Sequence, residues 1–135
     1  MIGIILCTHS EMAAGIKKSV EMIMGEQKDF EVLGFFNGDN QEDLGEQIIN
    51  RVRNFRKKGF TPCILVDLLG ATPFNVSLAK LIGDEAYIIT GVNLPLILEI
   101  LMERIDLTDS DVGEALQKAL NTAKNGMNIF ETKKL

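Results

Sequence analysis

The order of hydrophobic segments constrains the fold of this chain more than any other feature of its sequence. Short apolar runs alternate with longer segments in which apolar residues recur every three or four positions. The third run is apolar without a break over residues 63–66, which is typical of a central parallel strand covered on both faces. The predicted strands cover residues 2–6, 30–36, 62–67 and 86–90, and a short fifth candidate covers residues 127–132.

Amphipathic helices are predicted between and after these strands. Ser10 is the predicted N-cap of the first helix, which ends at Gly25, and Gly59 closes the second helix. Thr72 followed by Pro73 is expected to be the N-cap and the first residue of the third helix. The predicted apolar stripes are Met12, Ile16, Val20 and Ile23 in the first helix, Leu44, Ile48, Val52 and Phe55 in the second, and Ala115, Leu116, Ala119, Leu120 and Ala123 in the last.

This order of strands and helices predicts an α/β fold: a doubly wound, mostly parallel sheet of four strands in a single domain spanning residues 1–135. Right-handed crossovers then place helices on both faces of the sheet. The segment Thr108-Asp109-Ser110-Asp111 supplies N-cap candidates for the last helix. The fifth strand candidate follows that helix, and the sequence leaves open whether it pairs at an edge in its own subunit or in a neighbour.

Composition argues against several classes of function. The formal net charge is −5, which disfavours nucleic-acid binding because phosphate contacts need clustered lysine and arginine. A basic run over residues 51–58 lies near a predicted helix end, where a solvated surface is favoured over a docking site for an acidic partner. Cys7 and Cys63 lie in apolar runs without metal-binding spacing, so buried reduced thiols and no metal or cofactor are expected. With no signal peptide or membrane span evident, a cytoplasmic protein is expected.

Three predicted loops lie at the carboxyl ends of strands, the edge at which open α/β sheets bind ligands. His9, the only histidine, follows the first strand, and Asp67 ends the third. If those two strands are neighbours, the carboxylate accepts a hydrogen bond from the Nδ1–H of the histidine. The Nε2 atom is then left as a nucleophile or a base.

The loop Gly70-Ala71-Thr72 precedes a predicted helix, so its backbone N–H groups and the helix N-terminus are suited to binding phosphoryl oxygens. A histidine, an orienting acid and an anion-binding loop together favour phosphoryl transfer through a phosphohistidine. The sequence contains neither a Walker A nor a GxGxxG pattern, so no nucleotide site is indicated. The alternatives are a polar loop histidine, a turn-forming role for Asp67 and a purely capping Thr72, in a binding domain whose His9 is inert.

Residues 4–10 (IILCTHS), 66–75 (VDLLGATPFN) and 91–96 (GVNLPL) carry a resemblance to a known family. They resemble the IIA component of the sugar phosphotransferase system (PTS), in its mannose family, and the likeness runs nearly end to end. The resemblance implies that His9 is the phosphorylated nucleophile and that Asp67 orients and stabilises it. It also implies that Gly70, Ala71 and Thr72 lie against the phosphoryl group.

The resemblance further implies a phosphotransferase that takes the phosphoryl group from the carrier protein HPr and passes it to a IIB subunit. That subunit phosphorylates sugar brought in by membrane IIC and IID subunits. A homodimer that exchanges its C-terminal strands is implied as well. Ser10 stands where the family often has glycine, and residues 70–73 read Gly-Ala-Thr-Pro where the family often has Gly-Gly-Ser-Pro. A IIA-like subunit of dihydroxyacetone kinase and a regulatory phosphohistidine module are the alternative functions.

Overall fold

The computed structural model describes residues 1–108 and 111–135. Within these ranges, four strands form one parallel sheet in the order β2-β1-β3-β4, which confirms the predicted α/β fold. The strands are β1 (Ile2–His9), β2 (Phe30–Phe35), β3 (Thr61–Val66) and β4 (Tyr87–Ile89). The helices are α1 (Met12–Met24), α2 (Gln41–Lys57), α3 (Thr72–Leu81), α4 (Leu94–Glu103) and α5 (Val112–Asn125), with single 3-10 turns at Arg104–Asp106 and Thr132–Lys134.

Side chains of the central strand β1 alternate between two hydrophobic cores, one on each face of the sheet. Ile4 and Leu6 pack in the core formed with α1, α4 and α5, whereas Ile5 and Cys7 pack in the core formed with α2 and α3. All four side chains are fully buried. Helices therefore cover both faces of the sheet, as the sequence predicts. His9 is the last residue of β1 and so lies at the carboxyl edge of the sheet.

The buried stripe of α1 is rotated relative to the prediction. Ala13 and Val20 are buried and Ile16 is partly buried, but Met12 and Ile23 are 45% and 57% exposed. The prediction is wrong for Met12 and Ile23 because the helix register brings the small Ala13, not Met12, against the sheet. The predicted stripe of α2 is buried, and that of α5 is buried or partly buried.

The C-terminal segment forms no strand in the single chain, although all of residues 127–132 are described. Met127, Ile129 and Phe130 are 75%, 99% and 72% exposed, and a 3-10 turn follows at Thr132–Lys134. The predicted strand is therefore absent here, because the segment lies in solvent and not along a sheet edge.

The segment between α4 and α5 contains the predicted N-cap candidates of α5. Of its candidate N-caps, Asp109 and Ser110 lie outside the described residues. Asp111 occupies the N-cap position, but its Oδ2 accepts a 2.8 Å hydrogen bond from the Thr108 hydroxyl and makes no capping bond to α5 within the described chain.

The basic run of α2 forms ion pairs within the chain and lies at the helix C-terminus, where cations are favoured by the helix dipole. This arrangement supports a solvated helix end over a docking site for an acidic partner. The pairs are Arg51 with Glu31, Arg56 with Asp84, and Lys58 with Asp29.

Candidate active site

The centre of the candidate site is a contact between His9 and Asp67, which end or follow neighbouring parallel strands. Strand β1 pairs with β3 in a register that places Cys7 opposite Val66. This pairing brings Asp67 Oδ2 to 2.8 Å from His9 Nδ1 and to 3.0 Å from the backbone N–H of His9. One carboxylate oxygen therefore holds both the backbone and the ring of the histidine. With Nδ1 donating to it, Nε2 is the ring nitrogen that carries the free lone pair.

The environment of the pair favours an ionised carboxylate. Burial by itself opposes ionisation of Asp67, but the hydrogen bonds from the backbone and ring of His9 outweigh it and hold the pKa of Asp67 below its ordinary value of 3.8. The side chain of Asp67 is 13% exposed and that of His9 is 44% exposed. The acid is thus shielded from water while the ring that it orients remains open to a reacting partner.

The thiol nearest this pair is not a competing nucleophile. Burial raises the pKa of Cys7 to about 12, and the negative charge of Asp67 adds to the effect. Burial likewise raises the pKa of Cys63 to about 12. Both thiols are free and buried, as predicted, and both remain protonated near neutral pH.

The turn from β1 into α1 is held by Thr8, not by the predicted cap Ser10. The fully buried Thr8 hydroxyl accepts a 2.8 Å hydrogen bond from the N–H of Ala13, in the first turn of α1, and lies 3.2 Å from the carbonyl oxygen of His9. Glu11 occupies the N-cap position without a side-chain capping bond. The prediction for Ser10 is wrong because Thr8, three residues before the N-cap position Glu11, supplies the capping oxygen.

Ser10 has a different role, which is to form the tight turn directly after His9. Its φ is +51°, a left-handed conformation that is unusual for a residue with a side chain. Its N–H donates a 2.8 Å hydrogen bond to the carbonyl of Phe35 at the end of β2. A Cβ at Gly34 would lie 2.6 Å from the Ser10 carbonyl oxygen, so glycine in β2 permits this close approach. The turn that carries His9 is therefore anchored to both neighbouring strands.

The loop between β3 and α3 contains the predicted phosphate-binding residues. The N–H of Ala71 lies 3.3 Å from the carbonyl oxygen of Leu68, closing a four-residue turn whose third residue, Gly70, has φ +81°. That conformation selects glycine. Ala71 occupies the N-cap position and Thr72 is the first helical residue, so the prediction that Thr72 is the N-cap is displaced by one residue.

The first turn of α3 leaves several hydrogen-bond donors open. The backbone N–H groups of Gly70, Thr72 and Phe74, and the Thr72 hydroxyl, have no acceptor among residues 1–108 and 111–135. Ala71 cannot cap these groups because its side chain is a methyl group. Open N–H groups at a helix N-terminus are suited to binding an anion.

The third predicted loop, after β4, lies at the same edge of the sheet, but a side chain caps the helix that follows it. The N–H of Val92 donates to the carbonyl of Val66, and Asn93 Oδ1 accepts a 2.9 Å hydrogen bond from the N–H of Leu96. This loop therefore supports the end of β3, and its side-chain cap occupies the N–H group of Leu96, whose counterpart in α3 is open.

Two residues at this edge were missed by reasoning from sequence. Thr8 caps α1 from inside a strand, and its only sequence signal is a polar residue at a position that alternation assigns to the core. Asn75 donates a 2.9 Å hydrogen bond from Nδ2 to the carbonyl of Gly70, and it belongs to a segment that carries the family resemblance.

A groove lies beside the pair formed by His9 and Asp67. The groove has a volume of about 450 Å³ and is lined by His9, Ser10 and residues 35–38.

In the described part of the chain, no group of three or more histidine, cysteine, aspartate or glutamate side chains could hold a metal ion. Nor does any helix within the described ranges have the length and apolar character to cross a membrane.

The sequence matches one known protein family over most of its length. A model of the family described as PTS system fructose IIA component matches residues 3–120. The chain belongs to this mannose/fructose IIA family. A relative, the PTS system mannose-specific EIIAB component of Escherichia coli (strain K12), is 33% identical over 134 residues, which are 98% of this chain and 40% of that protein. The chain thus spans about two fifths of that relative's length.

Other members of the IIA family are similar in sequence and in structure, and they confirm the resemblance drawn from the three sequence segments. The PTS system fructose-specific EIIA component of Bacillus subtilis (strain 168) is 30% identical over 113 residues, 83% of this chain and 77% of that protein. The crystal structure of EIIA from Streptococcus agalactiae has a TM-score of 0.86 at 28% identity, covering 98% of this chain and 99% of that one. The PTS IIA protein associated with the fucose utilization operon of Streptococcus pneumoniae has a TM-score of 0.83 at 26% identity, covering 98% and 94%.

Proposed function

We propose that this chain is a phosphocarrier of the sugar phosphotransferase system and that it carries the phosphoryl group on His9. The observation that carries the proposal is the 2.8 Å contact between His9 Nδ1 and Asp67 Oδ2, which leaves Nε2 as the free nitrogen of a partly exposed ring. Membership of the IIA family supports the same function, since its named relatives are sugar-specific PTS components.

The phosphoryl donor in this proposal is the phosphohistidine of HPr. The lone pair of His9 Nε2 attacks phosphorus while the N–P bond to the donor breaks, and the departing imidazole keeps the electron pair of that bond. The new Nε2–P bond leaves positive charge on the His9 ring, next to the ionised Asp67. His9 Nδ1 keeps its proton throughout. Transfer to a IIB subunit repeats this exchange with His9 as the leaving imidazole.

Gly70, Ala71 and Thr72 are proposed to surround the transferred phosphoryl oxygens. The open N–H groups of Gly70 and Thr72 and the Thr72 hydroxyl support this role. The N–H of Ala71 closes the turn to Leu68, so Ala71 contributes an uncapped helix end and not a donor. Donors held in place before charge develops stabilise it without reorganisation.

HPr and the IIB subunit are proposed to dock in turn on the apolar surface around His9. Phe36, Leu68 and Leu69 are 45%, 59% and 68% exposed, and large apolar side chains beside a reactive group are suited to transient protein contacts. The membrane IIC and IID subunits would be served only through IIB. In this proposal the protein acts in the cytoplasm, and neither a nucleic acid nor a resident cofactor takes part in the transfer.

The test is phosphorylation by phosphoenolpyruvate, Enzyme I and HPr. One acid-labile, alkali-stable phosphoryl group per chain is expected on the wild type and none on His9→Ala, which removes the only histidine. Unlabelled wild type, or equal labelling of His9→Ala, would overturn the proposed function.

Asp67→Asn tests the partner of the histidine. We expect a folded protein whose phosphorylation is slower by about a hundredfold, because an amide does not balance the charge of the ring. Asp84→Asn, which changes an aspartate paired with Arg56, is the matched control and should label at the wild-type rate. An unchanged rate in Asp67→Asn would remove Asp67 from the mechanism.

The acceptor distinguishes sugar transport from the alternatives. Phosphorylated wild type is expected to pass its label to a IIB protein in the presence of its sugar. Transfer to a dihydroxyacetone kinase subunit but not to IIB would favour the kinase role, and transfer to neither would favour regulation.

We also propose that the chain forms a homodimer in which the C-terminal segment of each subunit adds to the sheet of the other. The exposed apolar residues of this segment, such as Ile129, support the idea. Strand β4 is a sheet edge of three residues, and a groove of about 400 Å³ lies between it and α5. A chain ending at Gly126 should be monomeric in light scattering while the full chain is dimeric. A monomeric full chain would contradict the proposal.

A further inference from the structure

We infer that Asn75 is a positioning residue for phosphoryl transfer. Its side-chain amide holds the Gly70–Ala71 peptide in an orientation that leaves the neighbouring N–H groups facing the phosphoryl site. This inference rests on the proposed function, since it concerns the loop that would surround the phosphoryl group carried by His9.

Asn75 is attached to two successive carbonyl groups of the loop. Its Nδ2 donates a 2.9 Å hydrogen bond to the carbonyl of Gly70, and its backbone N–H donates a 2.9 Å hydrogen bond to the carbonyl of Ala71. In a planar trans peptide the C=O and N–H point in opposite directions. The bond from the side chain to the Gly70 carbonyl therefore turns the N–H of Ala71 away from the helix, towards Leu68, and fixes the peptide that lies between the open N–H groups of Gly70 and Thr72. The bond from the backbone to the Ala71 carbonyl turns the N–H of Thr72 towards the open end of the helix.

The loop needs this restraint because little else fixes it. Gly70 has φ +81°, and a Cβ built there would meet nothing within 4 Å, so side-chain packing does not confine this residue. A glycine peptide otherwise rotates at small cost. The other bond across the turn, from the N–H of Ala71 to Leu68, is longer at 3.3 Å. The Asn75 amide is thus the shorter of the two bonds that hold the Gly70–Ala71 peptide.

The chemistry of the amide matches this task. Asn40 and Asn93 use Oδ1 to accept hydrogen bonds from N–H groups at the starts of α2 and α4. Asn75 uses Nδ2 to satisfy a carbonyl, so it orders the start of α3 without occupying the N–H groups that an anion would need.

The first test is the rate of His9 phosphorylation by phospho-HPr in Asn75→Ala. We expect kcat to fall about tenfold, less than for loss of a direct donor because Asn75 acts through the loop. The KM for phospho-HPr should stay within about twofold, and the melting midpoint within about 3 °C, because the bond is exposed. Asn75→Asp, which keeps the shape but replaces the donor with an oxygen, should be at least as slow, and Asn75→Gln should recover part of the rate.

The matched control is Asn121→Ala on α5, where an exposed asparagine bonds the Gln117 side chain. It should leave all three quantities unchanged. A kcat for Asn75→Ala within twofold of wild type would overturn the inference. So would a raised KM with unchanged kcat, because that result assigns Asn75 to partner binding.

A second measurement separates this inference from the proposed function. Inorganic phosphate should shift the backbone amide signals of Gly70 and Thr72 in wild type, and shift them less in Asn75→Ala. If His9 is never labelled but this difference appears, the phosphocarrier function fails and the inference about the loop stands. Equal shifts in both proteins, or none in wild type, would overturn the inference even where labelling succeeds.

Discussion

The β3–α3 and β4–α4 junctions share several features, yet only one lacks a side-chain cap on its helix. Each has a glycine with positive φ, Gly70 at +81° and Gly91 at +69°. Each helix also has a proline near its first residue. The two differ at the N-cap, which is Ala71 in α3 and Asn93 in α4. Asn93 binds the N–H of Leu96, whereas the methyl of Ala71 binds nothing.

This difference shows how one junction is used for architecture and the other is left available for a ligand. A satisfied helix end stabilises the fold, because the capping oxygen replaces water at a backbone N–H group. An uncapped end forgoes that stabilisation and keeps its N–H groups and partial positive charge available. The uncapped junction is the one that begins with Asp67, the partner of His9.

Of the changes to the two helix starts, capping the open end should give the largest effect on transfer. Ala71→Asn places an amide where Asn93 lies in α4, so its oxygen should accept from the N–H of Phe74, the equivalent of Leu96. We expect phosphorylation of His9 to slow about tenfold, because the N–H of Phe74 is then occupied and less of the helix end is open to an anion, while the free energy of unfolding rises by about 1 kcal/mol. Rapid-quench labelling and urea unfolding measure the two quantities. Faster transfer in the capped variant would contradict an anion-binding role for this helix end.

Opening the closed end should give the reverse pattern. Asn93→Ala removes the cap of α4 and should lower the free energy of unfolding by about 1 kcal/mol. Transfer should stay near the wild-type rate, because the capped N–H of Leu96 takes no part in the proposed chemistry. Loss of transfer with unchanged stability would mean that the two junctions share the ligand.

Lowering the pH should change the stability contributed by the β3–α3 junction but not that contributed by the β4–α4 junction. The residue after β3 is Asp67, which binds a proton in acid, whereas the residue after β4 is Thr90, which does not. The folded-state pKa of Asp67 lies below 3.8, so near pH 3 to 4 the unfolded chain binds more protons at this residue. Its stabilising contribution is present above that range and is lost as pH falls through the folded pKa. The stability difference between wild type and Asp67→Asn should therefore shrink from pH 5 to pH 3 in urea unfolding. A difference that grows on acidification would reverse the assigned sign.

The sequence predicted the architecture well because hydrophobic periodicity reports directly on burial. Continuous apolar runs became strands in a sheet covered on both faces, and α2 buried the predicted stripe. Predictions of caps were less successful. Thr8 took the role assigned to Ser10, because a cap depends on where the chain lies in space and not only on the residue next to the helix.

The candidate site likewise contains residues that the sequence identified and contacts that it could not. His9 and Asp67 stand out as a lone histidine and an acid at the ends of apolar runs, but their contact depends on β1 and β3 being neighbours. Thr8 and Asn75 could not be assigned from spacing, because each acts through a hydrogen bond set by the turn around it. The C-terminal segment has the pattern of a strand, but a strand also needs an edge to pair with.

The sequence alone therefore determined the class of fold, the order of its elements and the residue types at its carboxyl edge. These properties follow from local composition and from a periodicity that every segment carries within itself. Only the tertiary structure decided that a single oxygen of Asp67 holds both the backbone and the ring of His9, and that α3 begins without a cap while α4 is closed. The contact between His9 and Asp67 joins segments far apart in the chain, which the pairing of β1 with β3 brings together. The caps are local, but they depend on the residue at which each helix begins.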